Sequence, residues 1–210
     1  MGAETWMLVG SNGSAREILK NKPELDREAT KSLVRRLFPK EKLEPLKDGS
    51  LGYTSPPDDE LFAGCFPGVS ILAAAELGLD RPSQLKATFL DPALGSTIYL
   101  HAMHSVVDWF GFAVWHNGKL QRSLSLAPDD GILEDIGARL TFELPFWEGR
   151  HPAIDPEDDD DMEYPFVFHP LELGEAALLE FFGYQLEGIL DSTQLDPHEI
   201  PLMRFKRSKS

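Results

Sequence analysis

Apolar residues along this chain recur with two different periods, and the change comes near residue 61. Before it, residues 5–9 (TWMLV) read as a first strand, closed by the turn Gly10-Ser11-Asn12-Gly13. Ser14 followed by Glu17 makes a capping box, where each side chain satisfies a backbone donor, and predicts a helix through residue 19. Within residues 25–38, Leu25, Ala29, Leu33 and Leu37 recur every fourth position and predict a second helix, which Pro39 ends. Residues 40–60 are rich in charge, Pro and Gly and read as a surface connection.

From residue 61 the runs are shorter and suit strands. Residues 61–66 and 69–75 flank Pro67-Gly68, and residues 97–103 and 107–115 are rich in β-branched and aromatic side chains. Residues 119–126 alternate, while residues 82–90 predict a short helix. Helical spacing returns after Gly174, with Ala177, Leu178, Phe181, Phe182 and Leu186 on one stripe and Gly188 beyond its end. The basic run 204–210 reads as a disordered, solvated tail. Residues 107–115 are apolar on both faces, which places them in a sheet interior covered on both sides by helices near 15–38 and 175–188. The expected fold is therefore α+β, a central and mostly antiparallel sheet with helices packed on it, as one layered domain over residues 1–203.

The segment Trp115-His116-Asn117-Gly118-Lys119-Leu120 predicts a two-residue hairpin, because Asn-Gly supplies the two positive-φ residues of a type I′ turn. Carried outward without interruption, that register pairs Trp115 with Leu120, Ala113 with Arg122, Gly111 with Leu124 and Trp109 with Leu126. Arg122 then lies in a shallow trough between Trp109 and Trp115, where a guanidinium would stack on an indole and offer donors to a small anionic ligand. The competing reading is a structural ion pair with an acidic side chain from another element.

Charge narrows the partners. Thirty-five Asp and Glu against 20 Lys and Arg leave a net charge of −15. Such a surface repels phosphate backbones and anionic headgroups, so the expectation is no nucleic acid and no membrane, and a basic protein is the natural partner. Seven of the nine residues 155–163 are acidic, which suggests a self-repelling surface loop rather than a cation site, since the EF-hand pattern is absent. No run approaches the roughly 20 apolar residues of a membrane helix. The single Cys65 excludes an intrachain disulfide and suits a reducing compartment, and residues 1–10 do not make a secretory leader, so the expected location is cytoplasmic.

Candidate chemistry is sparse. His101, His104 and Asp108 would share a face on a helix and could ligate a metal there, but on strands the two histidines point to opposite faces, so no metal is expected. His104 and Asp108 instead bracket a connection between strands, where functional residues often sit. Gly10 to Ser14 lacks the spacing of a phosphate-binding loop, and no nucleophile elbow, zincin or kinase signature is present, so no cofactor is expected. Cys65 lies in an apolar run and reads as core.

The run HAMHSVVDWFGFAVWHNGKLQRSLSLAPDD from His101, the later Glu134-Asp135-Ile136-Gly137, and Phe168-His169-Pro170-Leu171-Glu172-Leu173-Gly174-Glu175 resemble an uncharacterised family of bacterial proteins of about this length, a domain of unknown function. Residues 2–10 and Ile200-Pro201-Leu202 extend the resemblance over nearly the whole chain. It implies one domain in a bacterial cytoplasm and carries no mechanism. Two functional classes follow. One is a non-catalytic binding module using its acidic surface or an Arg122-centred anion pocket, with Trp109, Trp115, His104 and Asp108 around it. The other is an enzyme with His104, Asp108 and Arg122 as its polar centre.

Overall fold

A computed structural model describes residues 3–153, 164–188, 191 and 193–209. The acidic run 155–163 lies outside the described residues. Ten strands form one sheet in the order β2-β10-β4-β5-β1-β6-β7-β8-β9, with β3 also paired to β10. They are β1 (Glu4–Ser11), β2 (Glu41–Pro45), β3 (Gly49–Ser50), β4 (Glu60–Phe66), β5 (Val69–Ala73), β6 (Thr97–His104), β7 (Trp109–His116), β8 (Lys119–Ala127), β9 (Gly131–Ile136) and β10 (Pro201–Lys209). Every named strand pair is antiparallel. The fold is α+β, with helices packed on an antiparallel sheet.

The two faces carry different covers. On one, Met7, Val9, Phe110, Phe112 and Leu124 pack against α1 (Ala15–Lys20), α3 (Leu144–Trp147) and α4 (Pro170–Phe182). On the other, Leu8, Leu72, Leu100, Ala113 and Trp115 meet α2 (Arg27–Leu37) and the short 3-10 turns between residues 75 and 94. Of the expected capping box the Ser14 half is observed, its hydroxyl accepting from the Glu17 N–H at 3.2 Å. Strand β7 lies in the interior and is buried from Trp109 to Trp115, which its two-sided apolarity requires.

Four expectations are corrected. Residues 82–90 form two 3-10 turns, Pro82–Gln84 and Ala87–Phe89, rather than one helix. Helix α4 starts at Pro170 and stops at Gly183, whose φ of 84° ends it before Gly188. Residues 40–60 contain β2 and β3. Most consequentially, the basic run 204–209 is no tail: it is the outer part of β10, seated between β2 and β4. Three of its charges are paired with acids of neighbouring segments, Arg204 with Glu60, Lys206 with Asp59, and Arg207 with Glu41 and Glu76 together. Arg207 also lies over the Phe38 ring.

Candidate functional site

The hairpin turn is where the sequence places it, with positive φ at both Asn117 and Gly118. His116 pairs with Lys119 and Trp115 with Leu120, but beyond them a β-bulge adds one residue to β8. Arg122 therefore faces Val114 and not Ala113, Ser123 faces Ala113, and Leu124 faces Phe112. One extra residue reverses the face of every side chain behind it. Gly137 holds the bulge in place: its φ is 85°, and a Cβ there would stand 2.1 Å from the carbonyl oxygen of Gln121.

This corrects the expected trough. Arg122 lies on the face opposite Trp109 and Trp115, fully buried, with its guanidinium carbon 5.9 Å from the centroid of the Phe112 ring. Its Nε and Nη2 donate to the two carboxylate oxygens of the equally buried Glu143, at 2.9 and 2.7 Å. Nη1 donates to Asp135 and to the Ile136 carbonyl. The guanidinium is occupied by its own chain, so the structural ion pair is the observed arrangement. On the other face Glu134 accepts from Ser83 and Ser123. The run Glu134 to Gly137 thus clamps β9 to both faces of β8.

The two histidines of β6 do point to opposite faces. His101 is buried between the Thr5 hydroxyl at 2.7 Å and the Gly174 carbonyl at 3.0 Å, and desolvation lowers its pKa to about 4. It ties α4 to the sheet at Gly174, where a Cβ would strike the Met103 sulfur at 2.8 Å. One residue on, Glu175 accepts the backbone N–H groups of Leu186 and Glu187, and burial pushes its carboxyl up to about 7. Asp108, at a φ of 49° in the β6–β7 turn, aims at His169, the cap of α4. His104, Asp108 and Arg122 are thus directed to three different places, and no single polar centre joins them. Cys65 is buried core.

What the structure does bring together is His104 and Trp109, cross-strand partners, with Trp6 of β1. The Trp6 ring centroid lies 5.7 Å from that of His104 and 5.9 Å from that of Trp109. These rings wall a cavity of about 280 Å³ that Gly78, Val107 and Ala127 help to enclose. Asp80, Asp129 and Asp130, all exposed, complete its lining. The rings are held rigidly. Trp109 Nε1 donates to the Ser125 hydroxyl at 3.0 Å, and its ring lies across Gly111, where a Cβ would approach it to 3.0 Å. The Trp6 indole packs against Gly78, where a Cβ would come within 2.8 Å of it. His104 Nδ1 accepts the Val106 N–H at 3.3 Å, which turns Nε2–H toward Glu4 at 3.7 Å.

Sequence reasoning reached His104 and Trp109 but missed Trp6, Gly78 and the three aspartates. Trp6 carried one signal, a large aromatic alternating with buried Thr5 and Met7 on β1. Nothing local in the sequence relates residue 6 to residues 78 and 129.

Fold and cavity together define an α+β protein with an aromatic, acid-rimmed recess on one face of a broad antiparallel sheet. The chain belongs to the family of unknown function DUF6928, which matches residues 5–205. No curated protein and no solved structure matches it. No described helix is long and apolar enough to cross a membrane.

Proposed function

We propose that this protein is a non-catalytic binding module that receives a cationic side chain of a basic protein partner in the Trp6–Trp109–His104 recess. The observation that carries this reading is the pairing of two tryptophans with three aspartates around one recess. Indole faces attract cations through the ring quadrupole, by about 0.5–2 kcal/mol as water is excluded. Carboxylates around a concave surface raise the local concentration of cations and speed their approach. A net charge of −15 extends the same field over the molecule. Val107, 52% exposed, lines the recess and offers apolar contact to the chain that delivers the charge. Arg122 supports no anion site, because its donors are engaged within the protein. A cytoplasmic setting agrees with the single buried thiol.

Titration with a short Lys/Arg-rich peptide, followed by tryptophan emission, tests the reading. Saturable change is expected, weakening with salt and disappearing in Trp6→Ala. Binding that persists unaltered in Trp6→Ala, or no emission change at all, would overturn it.

A further inference from the structure

Resting on that reading, we infer that the recess selects a quaternary, N-trimethylated ammonium over a primary ammonium or a guanidinium. A primary ammonium carries three N–H donors and a guanidinium five, and each must find an acceptor when water is stripped away. The ring walls provide none. Indole nitrogen donates and does not accept, Trp109 Nε1 is already spent on Ser125, and His104 Nδ1 is taken by the Val106 N–H. The carboxylates that would accept belong to Asp80, Asp129 and Asp130, exposed residues of the same lining, whereas Trp109 is buried. A trimethylammonium has no donor to leave unpaired. It spreads its charge over methyl groups that make close contact with ring faces, and feels the carboxylates at longer range. The volume agrees: about 280 Å³ lies just below the roughly 300–1,000 Å³ of sites for drug-sized ligands, and suits one headgroup. The geometry is set before any ligand arrives, since Gly78 and Gly111 admit the two indoles closely and Ser125 fixes one of them.

Calorimetric and fluorescence titrations of the full chain would compare butyltrimethylammonium with butylammonium, and one peptide carrying either trimethyllysine or lysine. The trimethylated member of each pair is expected to bind at least about tenfold more tightly, with the gap closing in Gly78→Ala, which displaces the Trp6 indole and adds only a methyl group on a surface loop. Far-ultraviolet circular dichroism would confirm that this variant stays folded. Equal or tighter binding of the unmethylated members would overturn this inference and leave the cation site standing. No binding by any of the four would overturn both. Tighter binding of the trimethyllysine peptide than of butyltrimethylammonium assigns the headgroup to a partner polypeptide, and equal affinities assign it to a free small molecule.

Discussion

Arg122 and Glu143 meet side-on, Nε to Oε1 at 2.9 Å and Nη2 to Oε2 at 2.7 Å, with neither side chain exposed. Removing one member leaves the other charged and buried, which costs about 3–5 kcal/mol in comparable pairs. Glu143→Gln and Arg122→Ala should each lower the unfolding free energy by about that much, measured by denaturant unfolding. The double variant Arg122→Met/Glu143→Leu should be far less harmed than the sum of the two singles. Additive losses would show that the pair is not coupled.

Gly137 and Gly118 both have positive φ, 85° and 72°, yet their surroundings differ. A Cβ at Gly118 meets nothing within 4 Å, whereas one at Gly137 collides with the Gln121 carbonyl oxygen at 2.1 Å. Gly118→Ala should therefore cost only about 1 kcal/mol, the backbone penalty alone. Gly137→Ala should cost distinctly more, because the bulge must also move. Thermal unfolding of the two variants side by side is the check.

Glu175 and His101 act on stability in opposite directions within one pH window. Glu175 titrates near 7 when folded and near 4.3 when unfolded, so the folded state holds the extra proton and stability falls as pH rises between those values. At about 1.4 kcal/mol per pH unit, the fall amounts to at most about 4 kcal/mol. His101 titrates near 4 when folded and near 6.5 when unfolded, so its contribution is present above 6.5 and is lost as pH drops toward 4. Glu175→Gln should expose the histidine slope and lose stability more steeply than the parent between pH 6.5 and 4. A parallel pair of profiles would refute the assignment.

Asp129 and Asp130 belong to the β8–β9 turn and line the recess as exposed residues, so under the proposed function their charge would act chiefly on the approach of the ligand. Asp129→Asn with Asp130→Asn should reduce the association rate of a basic peptide and flatten its salt dependence, with little change in the dissociation rate. Stopped-flow tryptophan fluorescence at two ionic strengths measures both. A change confined to dissociation would place these carboxylates in direct contact with the ligand.

Much of the fold was legible because its signals are local. Asn117-Gly118 set the turn, Ser14 and Glu17 set a cap, and the apolarity of residues 109–115 set an interior strand. The register failed two pairs beyond the turn, because the bulge is held by Gly137 and Glu143, partners 15 and 21 positions from Arg122. Strand β10 was hidden for a similar reason: Arg204, Lys206 and Arg207 look like a solvated run until Glu60, Asp59, Glu41 and Glu76 are placed beside them. The recess was half legible. His104 and Trp109 face each other across one short turn, but Trp6 and the aspartates reach them only through the sheet order.

The place of β10 also sets a schedule for assembly. Strand β2 has β10 as its ladder partner, and Glu41 must wait for Arg207, 166 positions away along the chain. During synthesis the segment 41–50 emerges long before anything exists for it to pair with, so this flank of the sheet closes only after translation has passed residue 209. Such distant closure slows folding and leaves a strand edge uncovered meanwhile, where a second nascent copy would find an open seam.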